Sequence, residues 1–447
     1  MPLTFIYRYS LSMCVLVLIG CASYQPEPLS SAPVSARIEQ LAMLANQAKN
    51  QSLPSTKLDL NRSLSGLDIA RLAVVANPEL KAARANVLIA DAQVFAAGLL
   101  PDPQISLGFE QPDKGVDLVN GNSVALAVDL LHLGLAKNQA QQLAAQMRFE
   151  LAWLEWLTAN QARSLALKIQ GLSAQAEVAQ TVLQQTQRSA EASDALLASG
   201  DQKIDENALR HVALLDASER CQSLSRESAS ARRALNALLG MTPTSALNLT
   251  AFVEQQSVIE VPNGAPLLQK SLDTRFDLQG LRAAYAASDG QLQMALSAQY
   301  PLPQLSLGRA RDTGDVHSNT FGVSLSLPLW NRARGTIAVA QATRSQLAQA
   351  FAVRLSQIQA EQAELLASLP SAARERAALD DALALLRPQL AALTLALERG
   401  DIDLARVEPI RVAVVEQQLK LIALETLMQD LQIQLETSAG RLLWAAH

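Results

Sequence analysis

Two patterns of apolar residues divide this chain, a strict alternation over short segments and a helical spacing over long ones. Alternation is the period of a strand with one buried face, and it occurs in two pairs of segments. We expect strands near residues 103–110 and 123–131, and again near residues 303–309 and 320–329. Between these pairs, apolar residues recur at helical spacing through runs rich in alanine and glutamine, which predicts unusually long helices.

This pattern is duplicated within the chain. The sequence PDPQISLG begins at Pro101 and recurs as PLPQLSLG from Pro301, an offset of 200 residues. Each copy follows a helical segment, begins a pair of strands and leads into a long helix that ends at a Gly-Asp pair, at Gly200 or Gly400. Because glycine accepts the left-handed conformation that ends many helices, a second helix is expected to return from each pair. The chain therefore repeats one helix–strand–strand–helix–helix unit.

The predicted organisation has five parts. Residues 1–20 form a signal peptide, residues 21–64 an N-terminal tether, residues 65–240 the first repeat, residues 241–272 an inter-repeat linker and residues 273–447 the second repeat. The two helical hairpins are expected to turn at residues 198–202 and 398–402. The linker contains three prolines, so we expect it to be irregular apart from a short strand or helix.

Capping residues and prolines predict where helices begin and bend. Ser65 is suited to cap a helix that starts near Leu67, with Asp68 in its first turn. Pro78 predicts a kink or a restart near Asn77. Inside the later helices, the prolines at positions 370, 388 and 409 predict kinks or local breaks.

The length of the strands bears on where the sheet lies. Segments of about eight to ten residues match a tilted transmembrane strand. Four strands are too few to close a barrel, and an open sheet edge in lipid leaves backbone groups without partners. Either the sheet is soluble, or several copies of the chain share one barrel, in which case three copies supply about twelve strands. The pattern alone leaves both alternatives open.

If the sheet lies in a membrane, the alternation assigns its two faces. The apolar positions are expected to face lipid, namely Ile105, Leu107, Phe109, Val124, Leu126, Val128, Phe321, Val323 and Leu325. The intervening positions Ser106, Asp129 and Ser324 are expected to face the lumen.

The N-terminal segment has the features of an export signal. Arg8 precedes an apolar run from Leu11 to Ile19, which is too short to span a bilayer as a helix. The run ends in Leu-Ile-Gly-Cys, which resembles a bacterial lipobox, so Cys21 is the expected lipidation site. The alternative is an ordinary signal peptide with a chance cysteine. Ala22, in place of an aspartate, favours the outer membrane.

Composition excludes several classes of function. The net charge of −5 gives no indication of nucleic-acid binding. Two of the three cysteines lie in the N-terminal segment, and the four histidines are not at metal-ligand spacing. No glycine-rich phosphate loop follows a strand. We therefore expect no catalytic residues, no metal site and no cofactor, and we do not expect an enzyme.

Several motifs occur in an order that resembles the TolC family of outer-membrane efflux proteins. They are the lipobox, the sequence NPEL from Asn77, the two Pro-x-Pro strand runs, the sequence SLPLWN from Ser326, and the two Gly-Asp turns. The resemblance covers nearly the whole chain after Leu60, and the short linkers resemble the heavy-metal efflux branch. It implies a mainly helical fold with transmembrane β-structure, in which a homotrimer forms a 12-stranded β-barrel and a 12-helix periplasmic α-barrel.

The resemblance further implies a passive conduit for exported substrates. The lipid-anchored trimer would lie in the outer membrane of a Gram-negative bacterium, among outer-membrane lipid, with its helices in the periplasm. It would receive substrates from an inner-membrane pump of the RND or ABC type through a periplasmic adaptor protein. Two alternatives are the outer-membrane duct of a type I protein secretion system and, from a different class, a soluble periplasmic coiled-coil scaffold or adaptor. Whether the substrate is a metal ion, a drug or a polypeptide stays open.

The resemblance also points to residues at the two hairpin ends. The expected adaptor-docking tips are Leu197, Ser199, Gly200 and Asp201 in the first hairpin, and Leu397, Arg399, Gly400 and Asp401 in the second. Family members close the tunnel with acidic residues just beyond the hairpin glycines. Glu206 occupies such a place, whereas Arg406 and Pro409 stand where some relatives carry aspartates, so Glu206 and Arg406 are candidates for a periplasmic gate. The simpler alternatives are that the glycines only end helices and that both charges are only solvated.

Overall fold

The computed structural model of the chain describes residues 24–26, 29, 62–100, 102, 104–110, 119–127, 130–250, 262–300, 303–311, 316–325 and 327–444. The chain forms two compact units, Met1–Ser35 and Ala36–His447, and every element below lies in the second. The predicted signal peptide, Cys21 and most of the predicted tether lie outside the described residues.

The described residues of the two repeats form the same elements in the same order. The first repeat contains α1 (Gly66–Ala76), α2 (Pro78–Ala97), β1 (Gln104–Glu110), β2 (Val119–Ala127), α3 (Leu130–Ser199) and α4 (Ile204–Leu238). The second contains α5 (Gly264–Thr274), α6 (Phe276–Ser297), β3 (Pro303–Arg311), β4 (His317–Leu325), α7 (Arg334–Glu398) and α8 (Leu404–Ala439). The outgoing helices α3 and α7 have 70 and 65 residues. At 1.5 Å per residue, each is about 100 Å long.

The second repeat begins earlier than the sequence predicted. α5 lies mostly within residues 241–272, the predicted linker, and it corresponds to α1 at an offset of 198 residues. Asn263 caps α5 by accepting a hydrogen bond from the Ala265 amide, at the position that corresponds to Ser65. A short helix was expected within this linker, but not as the start of the second repeat; Pro266 lies in the first turn of α5, where a missing amide donor costs little.

The predicted start of the first helix is confirmed. The Asp68 amide donates to Ser65 Oγ at 3.2 Å, and the Ser65 amide donates to the Asp68 carboxylate at 3.1 Å, which makes a reciprocal capping box. Asn77 then accepts a hydrogen bond from the Leu80 amide at 2.9 Å, and Pro78 is the first residue of α2. The chain therefore restarts as a new helix at Asn77, as Pro78 predicted.

The later helices continue through their internal prolines. α7 includes Pro370 and Pro388, and α8 includes Pro409, without an interruption in either helix. The expected local breaks are therefore not found. Each proline removes a single backbone hydrogen bond, and buried neighbours such as Leu369 and Ala372 hold the adjoining turns against the rest of the bundle.

The four described strands form one antiparallel sheet in the order β1-β2-β3-β4. The pairing of β2 with β3 joins the two repeats, with Val124 opposite Leu307. β2 and β4 begin at Val119 and His317, earlier than the alternation predicted, and end at Ala127 and Leu325. Alternation missed their first residues because polar residues pair through backbone hydrogen bonds as readily as apolar ones.

α3 is the helix against which both repeats pack. It contacts α1, α2 and α4 of its own repeat and α6 and α8 of the other. Each repeat also has a buried core of its own, built from corresponding positions. These are Ile69, Ile169 and Leu235 in the first repeat and Leu267, Leu369 and Leu435 in the second. The duplication is therefore preserved in the packing as well as in the order of elements.

Candidate functional site

One face of the sheet carries a continuous set of exposed apolar side chains. The register places Ile105, Val124, Leu307 and Phe321 in one row across all four strands. These four side chains are between 45% and 71% exposed. Val323 and Leu325 on β4 extend the set and are also exposed. A large contiguous apolar surface of this kind marks a face that meets lipid or another protein.

The opposite face of the sheet carries small residues. The row beside the apolar one consists of Ser106, Ser123, Gly308 and Thr320. Among the described strands, β1 and β4 each have a partner on one side alone, so both sheet edges are open to further pairing. Of the positions assigned to the two faces from the sequence, Val128 and Asp129 lie outside the described residues.

The two hairpin ends have the same backbone geometry. Gly200 has φ +84° and Gly400 has φ +77°, so both are left-handed. The Gly200 amide donates to the Leu197 carbonyl at 3.1 Å, and the Asp201 amide donates to the carbonyl five residues back at 2.9 Å. The amides of Gly400 and Asp401 make the same two bonds at 3.0 and 2.9 Å. A Cβ added at either glycine would meet no atom within 4 Å.

The predicted docking residues all lie at these two ends. The side chains of Ser199, Asp201, Arg399 and Asp401 are exposed, and those of Leu197 and Leu397 are half-buried. A groove of about 820 Å³ is lined both by Thr186, near the end of α3, and by Glu408, near the start of α8. The start of α8 therefore lies beside α3 and α4 of the first hairpin.

The two gate candidates lie in the first turns of the returning helices. Glu206 is in α4 and Arg406 is in α8, and both are exposed. Neither side chain forms an ion pair or a hydrogen bond with another residue in the part of the chain that the structure describes. The Arg406 amide donates to the Asp403 carboxylate at 3.2 Å, which caps α8. The structure places both charges near the hairpin ends without bringing them into contact.

A polar cluster behind the first turn was missed from the sequence. Buried Asn207 donates to Ser193 Oγ at 3.2 Å and to the Asp194 carboxylate at 2.8 Å, and His211 Nε2 lies 2.9 Å from the same carboxylate. The hydrogen bonds from Asn207 and then from His211 lower the pKa of the Asp194 carboxyl. These residues are on opposite arms of the hairpin, so only the packing of α3 against α4 reveals them.

A second network that the sequence did not reveal surrounds Arg275, whose side chain is fully buried. Its guanidinium donates to both oxygens of Asp277, at 2.9 and 2.6 Å, and to the Ser438 carbonyl at 2.6 Å. It also lies 4.4 Å from the ring centroid of Trp153. Arg354 of α7 donates to the same Asp277 carboxylate at 2.8 Å. The network thus joins α3, α6, α7 and α8.

The surroundings of Asp277 favour its ionised form. Its partial burial by itself raises the pKa, but the hydrogen bonds and charge of Arg275, and then those of Arg354, outweigh the burial and hold the pKa below its usual range. The only signal for this network in the sequence is the repeat alignment, in which Arg275 stands opposite Asn77.

The part of the chain that the structure describes contains no group of three or more His, Cys, Asp or Glu side chains that could hold a metal ion. Cys221 is free and half-buried, and its burial raises the pKa of the thiol. Among the described helices, none combines the length and the apolar character that a membrane span requires.

No protein-family model and no curated protein sequence matches the chain. Solved structures match it over most of its length. A structure of CusC, from work on folding and transmembrane channel formation, is 18% identical with a TM-score of 0.70, and the match covers 94% of this chain and all of CusC. The open state of the MtrE outer-membrane channel of Neisseria gonorrhoeae is 16% identical with a TM-score of 0.70, and the match covers 94% of this chain and 99% of MtrE.

The CmeC outer-membrane channel of Campylobacter jejuni is 13% identical with a TM-score of 0.69, and the match covers 94% of each chain. The chain therefore has the fold of the TolC-family outer-membrane channels, and the resemblance drawn from its motifs is confirmed at the level of the fold.

Proposed function

We propose that this chain is one protomer of a homotrimeric outer-membrane channel, the exit duct of a tripartite efflux system. The channel is a passive conduit and has no catalytic role. Substrates reach it from an inner-membrane pump of the RND or ABC type through a periplasmic adaptor. One observation carries the proposal: a sheet with an exposed apolar face and two open edges belongs to the same chain as two duplicated long hairpins.

The sheet supports a shared transmembrane barrel. Its apolar face suits lipid, while the row of Ser106, Ser123, Gly308 and Thr320 suits a water-filled lumen. In lipid the open edges of β1 and β4 must pair with other strands, because unpaired backbone groups are strongly unfavourable there. Three copies, joined edge to edge, close a barrel and leave no edge unpaired.

The hairpin ends support docking to an adaptor. Both turns are exposed, and the space around each turn glycine is open. A trimer presents two such turns from each protomer, a ring that matches the tips of adaptor hairpins. Glu206 and Arg406, which have no described partner within the chain, are placed to pair with neighbouring helices and close the periplasmic mouth.

Membrane fractionation tests the proposal against its rivals. We expect the protein in the outer-membrane fraction, as a trimer that dissociates on heating. Recovery as a soluble periplasmic monomer would support the scaffold alternative instead. A deletion strain that fails to export a polypeptide, but stays resistant to drugs and metals, would support the type I secretion duct.

Two adjacent residues of β4 test which face meets lipid. Arginine at Val323 should cost about 2–4 kcal/mol of trimer stability near the membrane midplane, whereas arginine at Ser324 should be tolerated because that position faces the lumen. The measurement is the temperature at which the purified trimer dissociates. Equal effects of the two substitutions would show that the faces are assigned wrongly.

Tryptophan at Ser199 tests the docking turn. Ser199 is exposed and precedes the left-handed Gly200, so Ser199→Trp should leave the trimer yield and heat stability unchanged while abolishing export and adaptor cross-linking. Ser225→Trp, at an exposed serine in the middle of α4, is the matched control and should retain export. Normal export by Ser199→Trp would mean that this turn does not dock.

We also propose that Cys21 carries lipid as the first residue of the mature chain. The lipobox after a short apolar run supports this. Cys21→Ser should abolish the incorporation of radioactive palmitate. Unchanged labelling would remove the claim, and partial export should survive because the barrel itself holds the protein in the membrane.

A further inference from the structure

On β3 and β4 the exposed apolar face of the sheet gives way to polar and basic residues, whereas on β1 the same rows contain Leu107 and Phe109. On β3, Leu305 and Leu307 are followed on the same face by Arg309 and Arg311. On β4 the change occurs at the same level, because Leu307 pairs with Phe321 while the next pair on this face is Arg309 with Asn319. The boundary between apolar and polar side chains therefore runs straight across the two strands.

Arg309 has no ion pair and no hydrogen bond to the residues that the structure describes, and its side chain is exposed. An arginine on the lipid-facing side of a barrel is strongly unfavourable in the hydrocarbon and nearly neutral at the level of the headgroups. If the apolar face meets lipid, the row of Arg309 and Arg311 lies at the headgroups.

The opposite end of the apolar face, next to the helices, also carries a residue typical of the membrane interface. On the β4 side, exposed apolar residues continue through Leu325 and Leu329 to Trp330, whose side chain is 92% exposed. Along β4 the exposed apolar residues Phe321, Val323 and Leu325 span about 14 Å, and Leu327 and Leu329 continue beyond the strand toward Trp330. Tryptophan is enriched at the membrane interface. A band bounded by Trp330 at the helix end leaves Arg309 at the opposite interface.

We propose that Arg309 and Arg311 bind the phosphate of a phosphorylated lipid in the outward-facing leaflet, whose acyl chains lie along Leu307 and Phe321. The inference rests on the proposed function, because it requires the helices to be periplasmic and the strand loops to face outward. The Cα atoms of the two arginines are about 7 Å apart on one face of β3. Their planar forks match phosphate oxygens and carry a charge that favours an anionic headgroup over a neutral one.

Lipid retention in nanodiscs tests the site. The trimer is placed in nanodiscs of phosphatidylcholine that contain lipid A with either two phosphates or one, and the lipid A that stays bound after transfer to detergent is measured by native mass spectrometry. Wild type should retain the doubly phosphorylated form preferentially. Arg309→Gln with Arg311→Gln should lose about thirtyfold in retention, as expected for two arginines near an anionic headgroup.

Two further variants separate charge from structure. Arg374→Gln with Arg387→Gln removes the same charge from exposed positions on α7, far along the chain from the sheet, and should retain lipid like the wild type. Arg309→Lys with Arg311→Lys keeps the charge but loses the fork, and should give intermediate retention. An equal loss of lipid A retention in the α7 variant would show that Arg309 and Arg311 do not form a specific lipid site.

The remaining outcomes are distinct. Displacement of lipid A by inorganic phosphate alone would identify a general anion site and overturn the lipid proposal. Equal retention of the two lipid A forms by a wild-type trimer in nanodiscs would overturn this inference alone. Failure of the wild type to enter nanodiscs as a trimer would overturn the proposed function with it.

Discussion

In each repeat, a buried side chain just before the second helix hydrogen-bonds a backbone carbonyl at the end of the last helix. We call this contact the junction of the repeat, and its chemistry differs between the two repeats. In the first, Asn77 Nδ2 donates to the Leu238 carbonyl at 2.9 Å; in the second, Arg275 Nη1 donates to the Ser438 carbonyl at 2.6 Å. Asn77 and Arg275 correspond at an offset of 198, and the two carbonyls correspond at 200. Both side chains are buried. One junction is therefore held by a neutral amide and the other by a charged guanidinium.

The difference shows what a buried charge demands of its surroundings. An amide is satisfied by two or three hydrogen bonds, whereas a buried cation needs an opposite charge as well. Arg275 obtains it from Asp277, stacks on Trp153 and is linked through Asp277 to Arg354. The second junction thus couples four helices. We expect substitutions in the second junction to destabilise the protein more than substitutions in the first.

The largest effect is expected from Asp277→Ala, which leaves the buried Arg275 with the Glu361 carboxylate, 4.0 Å away, as its remaining counter-charge. It should cost about 3–5 kcal/mol in the apparent free energy of unfolding, measured by chemical denaturation of the purified protein. Asp289→Ala, on the same helix, removes the partly exposed partner of Arg344 and should cost at most about 1 kcal/mol. Similar losses of unfolding free energy in the two variants would contradict the claim that the buried charge makes the second junction more sensitive.

A double substitution should recover part of that loss. Arg275→Asn restores the residue of the first repeat, so Arg275→Asn combined with Asp277→Ala no longer contains the buried cation. The double variant should be more stable than the sum of the two single effects predicts, by about 1–3 kcal/mol. Additive costs, in the same denaturation assay, would mean that the two side chains act independently.

Substitution in the first junction, which is held by the neutral side chain of Asn77, should cost less unfolding free energy. Asn77→Ala removes the cap of α2 and the bond to the Leu238 carbonyl, and should cost about 1–2 kcal/mol. Asn263→Ala removes only an exposed cap with a 3.3 Å hydrogen bond and should cost about 0.5 kcal/mol. A loss at Asn77 as large as that at Asp277 would remove the distinction between the junctions.

The smallest effect is a pH dependence that only the charged junction should show. Asp277 has a folded-state pKa below its unfolded value, so its contribution is present above the unfolded pKa of about 3.9 and is lost as the pH falls through the folded pKa. The difference in Tm between wild type and Asp277→Asn should therefore narrow below about pH 4. The difference between wild type and Asn77→Ala should not change with pH.

Features that depend on a few neighbouring residues could be predicted from the sequence. The capping box from Ser65 to Asp68 spans only four residues, and the turns at Gly200 and Gly400 need a glycine that accepts a positive φ. The alternation of strands likewise indicated which residues share a sheet face, although β2 and β4 extend into polar segments that carry no alternation.

The structure locates the predicted docking residues at the two hairpin ends, but the polar cluster behind the first turn was not predictable. The bonds of Asn207 with Ser193 and Asp194 cross the hairpin, and their geometry depends on how two arms of the hairpin pack. Nothing in the sequence near Asn207 distinguishes it from a solvated asparagine on a helix surface.

By itself the sequence determined the duplication, the order of the elements and the turns, because backbone propensities and apolar periodicity act over a few residues at a time. Only the tertiary structure decided that residues 264–274 form a counterpart of α1 despite Pro266, and that Arg275 is a buried centre rather than a surface charge. Its partner carbonyl at Ser438 lies 163 residues away. Such contacts arise only when four helices pack together, and the free energy that keeps the charge buried comes from groups that the local sequence does not contain.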